Sequence, residues 1–279
     1  MSPFQDAVVI VTGGASGLGR ALCEETGRRG AVVVVTDVDE AGARAVADGI
    51  AAAGGRASAA ALDVGQGETF QRVVEETVAA HGRLDYLFNN AGLAVVGQVQ
   101  ELTPEHWRKI LNVNLLGVVH GVAAAYPIMV RQGSGHIVNT ASAAGLLGIP
   151  LSTPYATTKS AVVGLSQNLR AEAADLGVKV SALCPAYIQT RIFDAATYAA
   201  GNPADALRLV PFKFLPVDDA VRRILRGVER NQGLIVLPFY ARLFWWLTRL
   251  WPALPVAVNR RAVRGWRRRY PPSGPTAKG

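Results

Sequence analysis

The chain has 279 residues, half of them hydrophobic, and a net charge of +8, so it can bury a full core and is expected to form one domain with a tail. No basic region, long apolar stretch or cleavage site precedes the first strand, which predicts a cytoplasmic protein without a secretory signal. Cys23 and Cys184 are expected to be small buried side chains rather than a bridge, and the four histidines lie in separate segments, which excludes a metal-ligand cluster.

Short apolar runs alternate with helical segments along most of the chain. The runs occupy residues 7–11, 32–35, 84–88, 136–139, 178–183 and 234–237, and the helical segments occupy 17–29, 40–53, 68–80, 104–131, 155–175 and 218–230. Few runs alternate polar with apolar residues, which is typical of strands buried on both faces of a parallel sheet. The pattern predicts an α/β fold with a doubly wound parallel sheet, the Rossmann fold, that binds ligands at the carboxyl ends of its strands. We expect a catalytic domain over 1–238 and an extension over 239–279.

A glycine-rich turn joins the first strand to the first helix. It runs from Thr12 to Gly19 and would let the backbone approach a pyrophosphate on the helix N-terminus. Taken alone, such a turn is also compatible with a helix start that binds nothing. Asp37 ends the second strand 18 residues after Gly19, near the spacing at which a carboxylate accepts the ribose hydroxyls of NAD. Its charge would repel the 2′-phosphate of NADP, so we expect NAD as the cofactor.

Five motifs in order resemble those of the short-chain dehydrogenase/reductase family, over about 6–238. They are Thr-Gly-x-x-x-Gly-x-Gly at 12–19, Asp-Val at 63–64, Asn-Asn-Ala-Gly at 89–92, Asn114 within Asn-Val-Asn-Leu, and Tyr-x-x-x-Lys at 155–159, with Ser142 thirteen residues before the tyrosine. The resemblance implies a catalytic set of Asn114, Ser142, Tyr155 and Lys159. The cofactor contacts that it implies, together with Asp37, are Gly13, Ser16, Gly17, Leu18, Gly19, Asp63, Val64, Asn90, Ala91, Gly92, Tyr155, Lys159, Pro185, Ile188 and Thr190.

Two further implications concern the backbone and the assembly. The family usually has Pro-Gly where this chain has Pro185-Ala186, so Ala186 must adopt an ordinary backbone conformation on the path to Ile188 and Thr190. The resemblance also implies a dimer or tetramer built on the helices that begin near Pro104 and Tyr155.

Moving a hydride to or from a carbinol carbon requires a group that exchanges a proton with the oxygen, and Tyr155 is the candidate. A tyrosine normally titrates near 10 and is a poor base at neutral pH. Lys159 lies one helical turn later on the same face, where we expect its ammonium to lie beneath the phenol oxygen and to lower the pKa of Tyr155. Ser142 would donate a hydrogen bond to the substrate oxygen, and the resemblance implies that Asn114 holds a water linking Lys159 to solvent.

Residues 187–216 lose the helical period and are rich in alanine, aromatic residues and proline, as expected of a mobile loop over a substrate. Their aromatic residues would either line an apolar pocket or only pack the loop down; they are Tyr187, Phe193, Tyr198, Phe212 and Phe214. No basic cluster marks an acidic substrate in this loop. We therefore expect a hydrophobic secondary alcohol, ketone or aldehyde.

The C-terminal extension is compositionally distinct. It contains nine of the 29 basic residues and no acid, which leaves 20 bases and 21 acids before it, and four of the five tryptophans. Two arginines near its middle and Pro252 make a membrane-spanning helix unfavourable, whereas a helix lying in the headgroup layer of an anionic membrane fits residues 239–270. The alternative is that the same aromatics cover the substrate pocket or pack on another subunit; nucleic acid is disfavoured.

Several functional classes remain open from the sequence. An NAD-dependent dehydrogenase is favoured over a non-catalytic cofactor-binding scaffold because the catalytic set is intact. A protein that acts only by binding membrane or nucleic acid is disfavoured by the near-neutral body. Within enzymes, the alternative is the sugar epimerase and dehydratase branch, which has longer chains and a different glycine spacing.

Overall fold

Seven parallel strands form the central sheet of the computed structural model, which describes residues 2–210 and 212–271. In chain order the strands are β1 (Val8–Thr12), β2 (Val32–Asp37), β3 (Arg56–Ala61), β4 (Tyr86–Asn89), β5 (Val95–Val96), β6 (Gly135–Thr140), β7 (Val178–Pro185), β8 (Thr197–Tyr198) and β9 (Leu234–Leu237). The sheet has the order β3-β2-β1-β4-β6-β7-β9, and β5 pairs with β8 outside it. The winding reverses between β1 and β4, which opens a crevice at their carboxyl ends. This arrangement confirms the predicted doubly wound fold.

Helices cover both faces of the sheet. They are α1 (Gly17–Arg28), α2 (Glu40–Ala52), α3 (Gly67–His81), α4 (Pro104–Leu111), α5 (Gly117–Gln132), α6 (Ala144–Leu147), α7 (Thr153–Glu172), α8 (Pro203–Arg208), α9 (Val217–Glu229), α10 (Phe239–Leu250) and α11 (Leu254–Arg269). Successive residues of β1 enter different cores: Val9 and Val11 pack with residues of α1, α2 and α9, whereas Val8 and Ile10 pack with residues of α3, α5 and α7. Burial on both faces explains why the strand has no polar alternation.

Strand β3 was not expected from the sequence. Its residues, Arg56–Ala61, are mostly alanine and polar and include no β-branched or aromatic side chain, so they lack the usual signal of a strand. It lies at the sheet edge and pairs only with β2, in register from Arg56 opposite Val32 to Ala61 opposite Asp37. Pairing with its neighbour, rather than local preference, defines this strand.

The helix predicted over 104–131 is continuous but contains one wider turn. A π-helical turn over Asn112–Leu116 separates α4 from α5, and such turns often occur at functional sites. Within the described residues, Pro104–Gln132 is one run long and apolar enough to cross a membrane by length and composition alone. It packs against α3, α7 and the strands β4 and β6, as a core helix does.

The C-terminal extension is helical and packs on the domain. Residue Trp266 of α11 is only 2% exposed and contacts Val96 and Leu151. Arg267 Nε donates a hydrogen bond to Gln98 Oε1 at 2.8 Å, and Asn259 Nδ2 donates one to the Gly148 carbonyl at 3.0 Å. Residues 272–279 of the predicted extension lie outside the described part of the chain.

Candidate active site

The glycine turn after β1 keeps the first helix N-terminus open. Gly17 has φ of +54°, which side-chain-bearing residues rarely adopt, and a Cβ at Gly19 would collide with the Gly13 carbonyl. The Ser16 side chain makes no capping hydrogen bond to the helix, and the half-buried Leu18 packs against the core. The first N–H groups of α1 therefore face the crevice that follows β1, where the helix dipole favours an anion.

Asp37 lies beside this turn at the end of β2. Its Oδ2 accepts a hydrogen bond from Ala15 N at 3.0 Å, and its Oδ1 accepts one from Asp39 N at 3.0 Å. The structure thus brings the Asp37 carboxylate, predicted to bind the ribose, against the turn predicted to bind the pyrophosphate. Each carboxylate oxygen keeps a further lone pair for a hydroxyl donor.

The Asn-Asn-Ala-Gly segment supports the same turn. The Thr12 Oγ1 atom accepts hydrogen bonds from Asn90 N at 2.9 Å and Ala91 N at 3.0 Å, and the Asn90 amide donates to the Thr12 carbonyl at 3.0 Å. The Nδ2 donor of Asn90 therefore stabilises the turn itself.

The Asp63-Val64 pair lies where β3 leads into α3. Asp63 Oδ1 accepts a hydrogen bond from Gly65 N at 2.9 Å, and the side chain of Asp63 is exposed. Val64 is 5% exposed and packs in the core, while its carbonyl contacts His120 Nδ1 at 2.9 Å. The exposed carboxylate and the adjacent backbone are the groups available to a ligand here.

Ser142 and Tyr155 meet at the carboxyl end of β6. Ser142 follows that strand and its Oγ accepts from Ala144 N at 3.1 Å and donates to the Pro185 carbonyl at 3.3 Å. Tyr155, in the first turn of α7, is half-buried. Burial raises the pKa of Tyr155 above its ordinary value, and the nearby Ser142 hydroxyl lowers it by less.

Lys159 lies one turn after Tyr155 and is almost fully buried. Its Nζ is 5.7 Å from the centroid of the Tyr155 ring and donates a hydrogen bond to the Thr140 carbonyl at 2.7 Å. Burial lowers the pKa of Lys159 to about 8. The structure therefore differs from the expectation in two respects: the ammonium is hydrogen-bonded to Thr140, which the sequence did not single out, and the pKa of Tyr155 is raised rather than lowered.

Asn114 lies in the π-helical turn and points toward the same region. Its Oδ1 accepts from Leu93 N at 2.9 Å and its Nδ2 donates to the Leu93 carbonyl at 2.9 Å. A Cβ placed on Gly92 would be 3.4 Å from both Asn114 Oδ1 and Lys159 Nζ. The wider turn thus brings Asn114 near Lys159, and Gly92, which has no side chain, leaves room between these two side chains.

The backbone after β7 reaches the glycine turn without strain. Ala186 donates its N–H to the Leu237 carbonyl at 2.8 Å and is not among the positive-φ residues of the described chain. Ile188 is 6% exposed, and the side chain of Thr190 faces Gly17, within 3.6 Å of a Cβ placed there. With alanine in place of the family's glycine, Thr190 therefore still reaches the predicted cofactor turn.

The aromatic residues of the 187–216 segment pack on one another and on the C-terminal helices. Tyr187 lies 5.6 Å from Phe214 and 6.5 Å from Phe212 between ring centroids, and Phe193 lies 6.2 Å from Phe214. The Tyr198 hydroxyl donates to the Phe193 carbonyl at 2.8 Å. All are half-buried, so they hold the segment down on the domain.

The residues present fit a dinucleotide. An open helix N-terminus, a carboxylate with free lone pairs at the end of β2, and Thr190 opposite the turn lie along one crevice. The helix N-terminus would donate hydrogen bonds to a pyrophosphate, and the carboxylate would accept them from a ribose. Thr190 would border a nicotinamide ring placed next to Ser142, Tyr155 and Lys159.

Comparison with known proteins agrees with this geometry. The sequence profile of the short chain dehydrogenase family matches residues 7–200. A cyclohexanol dehydrogenase of Acinetobacter sp. is 34% identical over 80% of this chain and 87% of its own. A 2,5-dichloro-2,5-cyclohexadiene-1,4-diol dehydrogenase of Sphingobium indicum is 37% identical over 70% and 78%. A short-chain dehydrogenase/reductase of Burkholderia phymatum, solved in complex with NAD, superposes with a TM-score of 0.78 at 33% identity, covering 85% of this chain and 90% of that one.

Proposed function

The chain belongs to the short-chain dehydrogenase family, and from that premise we propose that it is an NAD-dependent dehydrogenase that interconverts a hydrophobic secondary alcohol and its ketone. The observation that carries the proposal is the meeting of Ser142, Tyr155 and Lys159 at the end of the nucleotide crevice. A non-catalytic scaffold would not need a buried lysine beside a half-buried tyrosine. The family profile and the relatives also favour this branch over the sugar epimerases and dehydratases.

Tyr155 is the proposed proton-transfer residue. The nicotinamide, when bound, supplies or accepts the hydride. Ser142 Oγ, at the carboxyl end of β6, donates a hydrogen bond to the substrate oxygen and holds it against the Tyr155 hydroxyl. In reduction, the Tyr155 hydroxyl gives its proton to that oxygen; in oxidation, the phenolate takes the proton back.

Lys159 and Asn114 would support proton transfer by Tyr155. The Lys159 ammonium, fixed by the Thr140 carbonyl, places a positive charge near the ring and favours the phenolate. A pKa of about 8 lets this lysine exchange a proton with solvent at working pH. Asn114, adjacent across Gly92, is the proposed partner of the water that links the lysine to solvent.

NAD is the proposed cofactor in preference to NADP. Asp37 presents a carboxylate where the 2′-position of the adenine ribose would lie, and a phosphate there would meet its charge. Ser16 and Val38, the neighbours of that position, supply no base. The solved relative that binds NAD supports the same choice.

We also propose a homo-oligomer, a dimer or tetramer, through the helices that begin near Pro104 and Tyr155. Leu116 and Val119 on that side are 44% and 38% exposed, which suits contact with a second copy. A cytoplasmic location stays a prediction from the sequence, as does the division at Pro238 into a catalytic domain and an extension.

The test is oxidation of cyclohexanol with NAD, followed by the absorbance of NADH. We expect activity with NAD and little with NADP at equal concentration. No reduction of either cofactor with cyclohexanol and related secondary alicyclic alcohols, in a protein that binds NADH by fluorescence, would refute the proposed reaction.

A further inference from the structure

One side of α10 presents an apolar stripe to solvent. Phe239, Leu243, Trp246 and Leu250 recur at i, i+4, i+7 and i+11, so they share one face of the helix. Their exposed fractions are 73%, 48%, 54% and 82%. Apolar residues at this spacing usually face the protein core. In α10 the opposite side packs on the domain, and Ala241 is buried there.

The exposed apolar surface continues beyond the stripe. Leu247 flanks it at 40% exposure, and Trp251, just after the helix, is 68% exposed. We call Phe239, Leu243, Trp246, Leu247, Leu250 and Trp251 the docking face. A contiguous apolar surface of this kind on a folded protein normally marks an interaction site.

Basic residues border the docking face. Arg242 and Arg249 are seven residues apart on one edge of α10 and are both exposed. In α11, Arg260, Arg261 and Arg264 are exposed as well, and no acidic residue occurs after Pro238. The partner that suits this surface is therefore apolar inside and negatively charged at its boundary.

We propose that the docking face binds an anionic lipid bilayer, with α10 lying in the headgroup layer. Tryptophans favour that layer, aliphatic side chains enter the acyl boundary, and arginines gain from anionic headgroups. A nucleic acid would contact the arginines but would leave Leu243, Trp246 and Leu250 exposed to water. It therefore accounts for the charge of this surface and not for its apolar residues.

The opposite side of α10 packs on the substrate segment. The ring of Tyr240 stacks on Phe212 with centroids 4.3 Å apart, and Phe244 lies edge-on to the same ring at 5.8 Å. Phe212 in turn lies 6.5 Å from Tyr187, which follows β7 at the catalytic end of the sheet. Aromatic side chains thus connect the inward side of α10, beneath the docking face, with the substrate segment.

This continuity specifies the substrate class of the proposed dehydrogenase, on which it rests. A substrate dissolved in the bilayer would meet α10 first and pass along apolar side chains toward Tyr155. The inferred substrate is therefore a lipid-soluble secondary alcohol or ketone that partitions into membranes, supplied to the enzyme from the bilayer.

Vesicle flotation of the full-length protein tests the docking. We expect it to float with vesicles of phosphatidylglycerol and phosphatidylcholine at low ionic strength, and to float far less at high ionic strength or with phosphatidylcholine alone. Leu243→Glu with Leu250→Glu should lower the partition coefficient at least about tenfold, and Arg242→Gln with Arg249→Gln about fivefold per charge. Leu176→Glu, at a site 43% exposed and distant in sequence, is the matched control and should float like the unmodified protein.

The docking proposal would be overturned if the unmodified protein did not float at low ionic strength, or if Leu176→Glu lowered the partition coefficient as much as Leu243→Glu with Leu250→Glu. It would also be overturned if, in sedimentation without vesicles, the Leu243→Glu, Leu250→Glu protein formed a smaller oligomer than the unmodified protein. The last result would show that a second copy covers the face. The docking proposal would likewise be contradicted if the unmodified protein did not float with vesicles but bound DNA at low salt, and if Leu243→Glu with Leu250→Glu did not weaken that DNA binding.

Activity separates this proposal from the dehydrogenase assignment. With cyclohexanol in solution, the Leu243→Glu, Leu250→Glu protein should reduce NAD at the unmodified rate. With 2-dodecanol held in anionic vesicles, its rate should fall by the same factor as its partition coefficient. Equal rates from vesicles would refute supply from the bilayer, whereas inactivity of every protein toward both alcohols, with flotation intact, would count only against the reaction.

Discussion

The Lys159 Nζ atom donates a hydrogen bond to the carbonyl oxygen of Thr140 at 2.7 Å. Thr140 is the last residue of β6, so the sheet itself fixes the position of the ammonium, 5.7 Å from the Tyr155 ring centroid. The backbone oxygen stabilises the charge of a group whose pKa burial lowers to about 8. The residue that is to tune Tyr155 is therefore anchored by the strand that also leads to Ser142.

Lys159→Met should lower the oxidation rate at neutral pH by about a hundredfold or more, because the phenolate of Tyr155 loses its nearby positive charge. The ammonium is present below about pH 8 and is lost above it, so the pH profile of the unmodified enzyme should change slope near that value. The profile of Lys159→Met should lack this change. A variant profile with the same break would assign the ionisation to another group.

Tyr155→Phe should reduce kcat by about 10² to 10⁴, since it removes the transferable proton and little else. Binding of NADH, measured by its fluorescence, should be nearly unchanged. Tyr86→Phe is the matched control, because Tyr86 begins β4 at the opposite end of the strands, and it should retain full activity. Turnover by Tyr155→Phe at the unmodified rate would refute the assignment.

Asp37→Ala combined with Ser16→Arg should reverse or flatten the preference for NAD over NADP. The substitutions remove the carboxylate that repels the 2′-phosphate and add a guanidinium beside it. Titration of both cofactors against both proteins measures the change in preference. Asp39→Ala removes a neighbouring carboxylate that caps α2 through Gly42 N, and should leave the preference unchanged. Tighter binding of NADP by the unmodified protein would contradict the role of Asp37.

The sequence was sufficient where local patterns determine structure and insufficient where distant contacts do. Six of the seven sheet strands followed from apolar runs in the sequence, and the residues proposed for catalysis followed from the family resemblance. Strand β3 has no local signal and forms because β2 pairs with it. Both sides of α10 are apolar in sequence, so only the structure shows that Phe244 faces inward and Leu250 outward.

His136 should make the protein less stable in acid. Burial lowers its pKa to about 3, and its Nε2 contacts Ser181 Oγ at 2.8 Å on the adjacent strand. Below about pH 6.5 the unfolded chain binds a proton on this residue that the folded chain does not, so stability falls as the pH falls toward 3. The slope contributed is about 1.4 kcal/mol per pH unit.

Urea unfolding across this pH range measures the effect. His136→Gln should be less stable at neutral pH. The slope of its free energy of unfolding against pH should be smaller by about 1.4 kcal/mol per pH unit, because one proton fewer is taken up on unfolding. His106→Gln, at a partly exposed site in α4, serves as the control and should keep the unmodified slope. Equal slopes for the unmodified protein and His136→Gln would contradict the buried neutral state of His136.

Trp266 should hold α11 on the domain and, through α11, hold the substrate segment in place. The ring is 2% exposed and packs on Val96, Leu151 and Gly201, while the nearby Tyr270 hydroxyl donates to Asp205 in α8. Trp266→Ala should lower the free energy of unfolding by about 3 kcal/mol or more, because the cavity cannot be refilled without moving three segments.

The substitution should also raise the KM for cyclohexanol more than it lowers kcat, since α8 belongs to the 187–216 segment and not to the catalytic cluster. Trp266→Phe should be much milder: the indole Nε1 has no hydrogen-bond partner in the described chain, and its removal offsets part of the lost packing. Trp246→Ala is the matched control, because that ring is 54% exposed, and it should change stability by less than about 0.5 kcal/mol. If urea unfolding gave the same loss for Trp246→Ala as for Trp266→Ala, or if Trp266→Ala left both stability and KM unchanged, α11 would not hold the substrate segment.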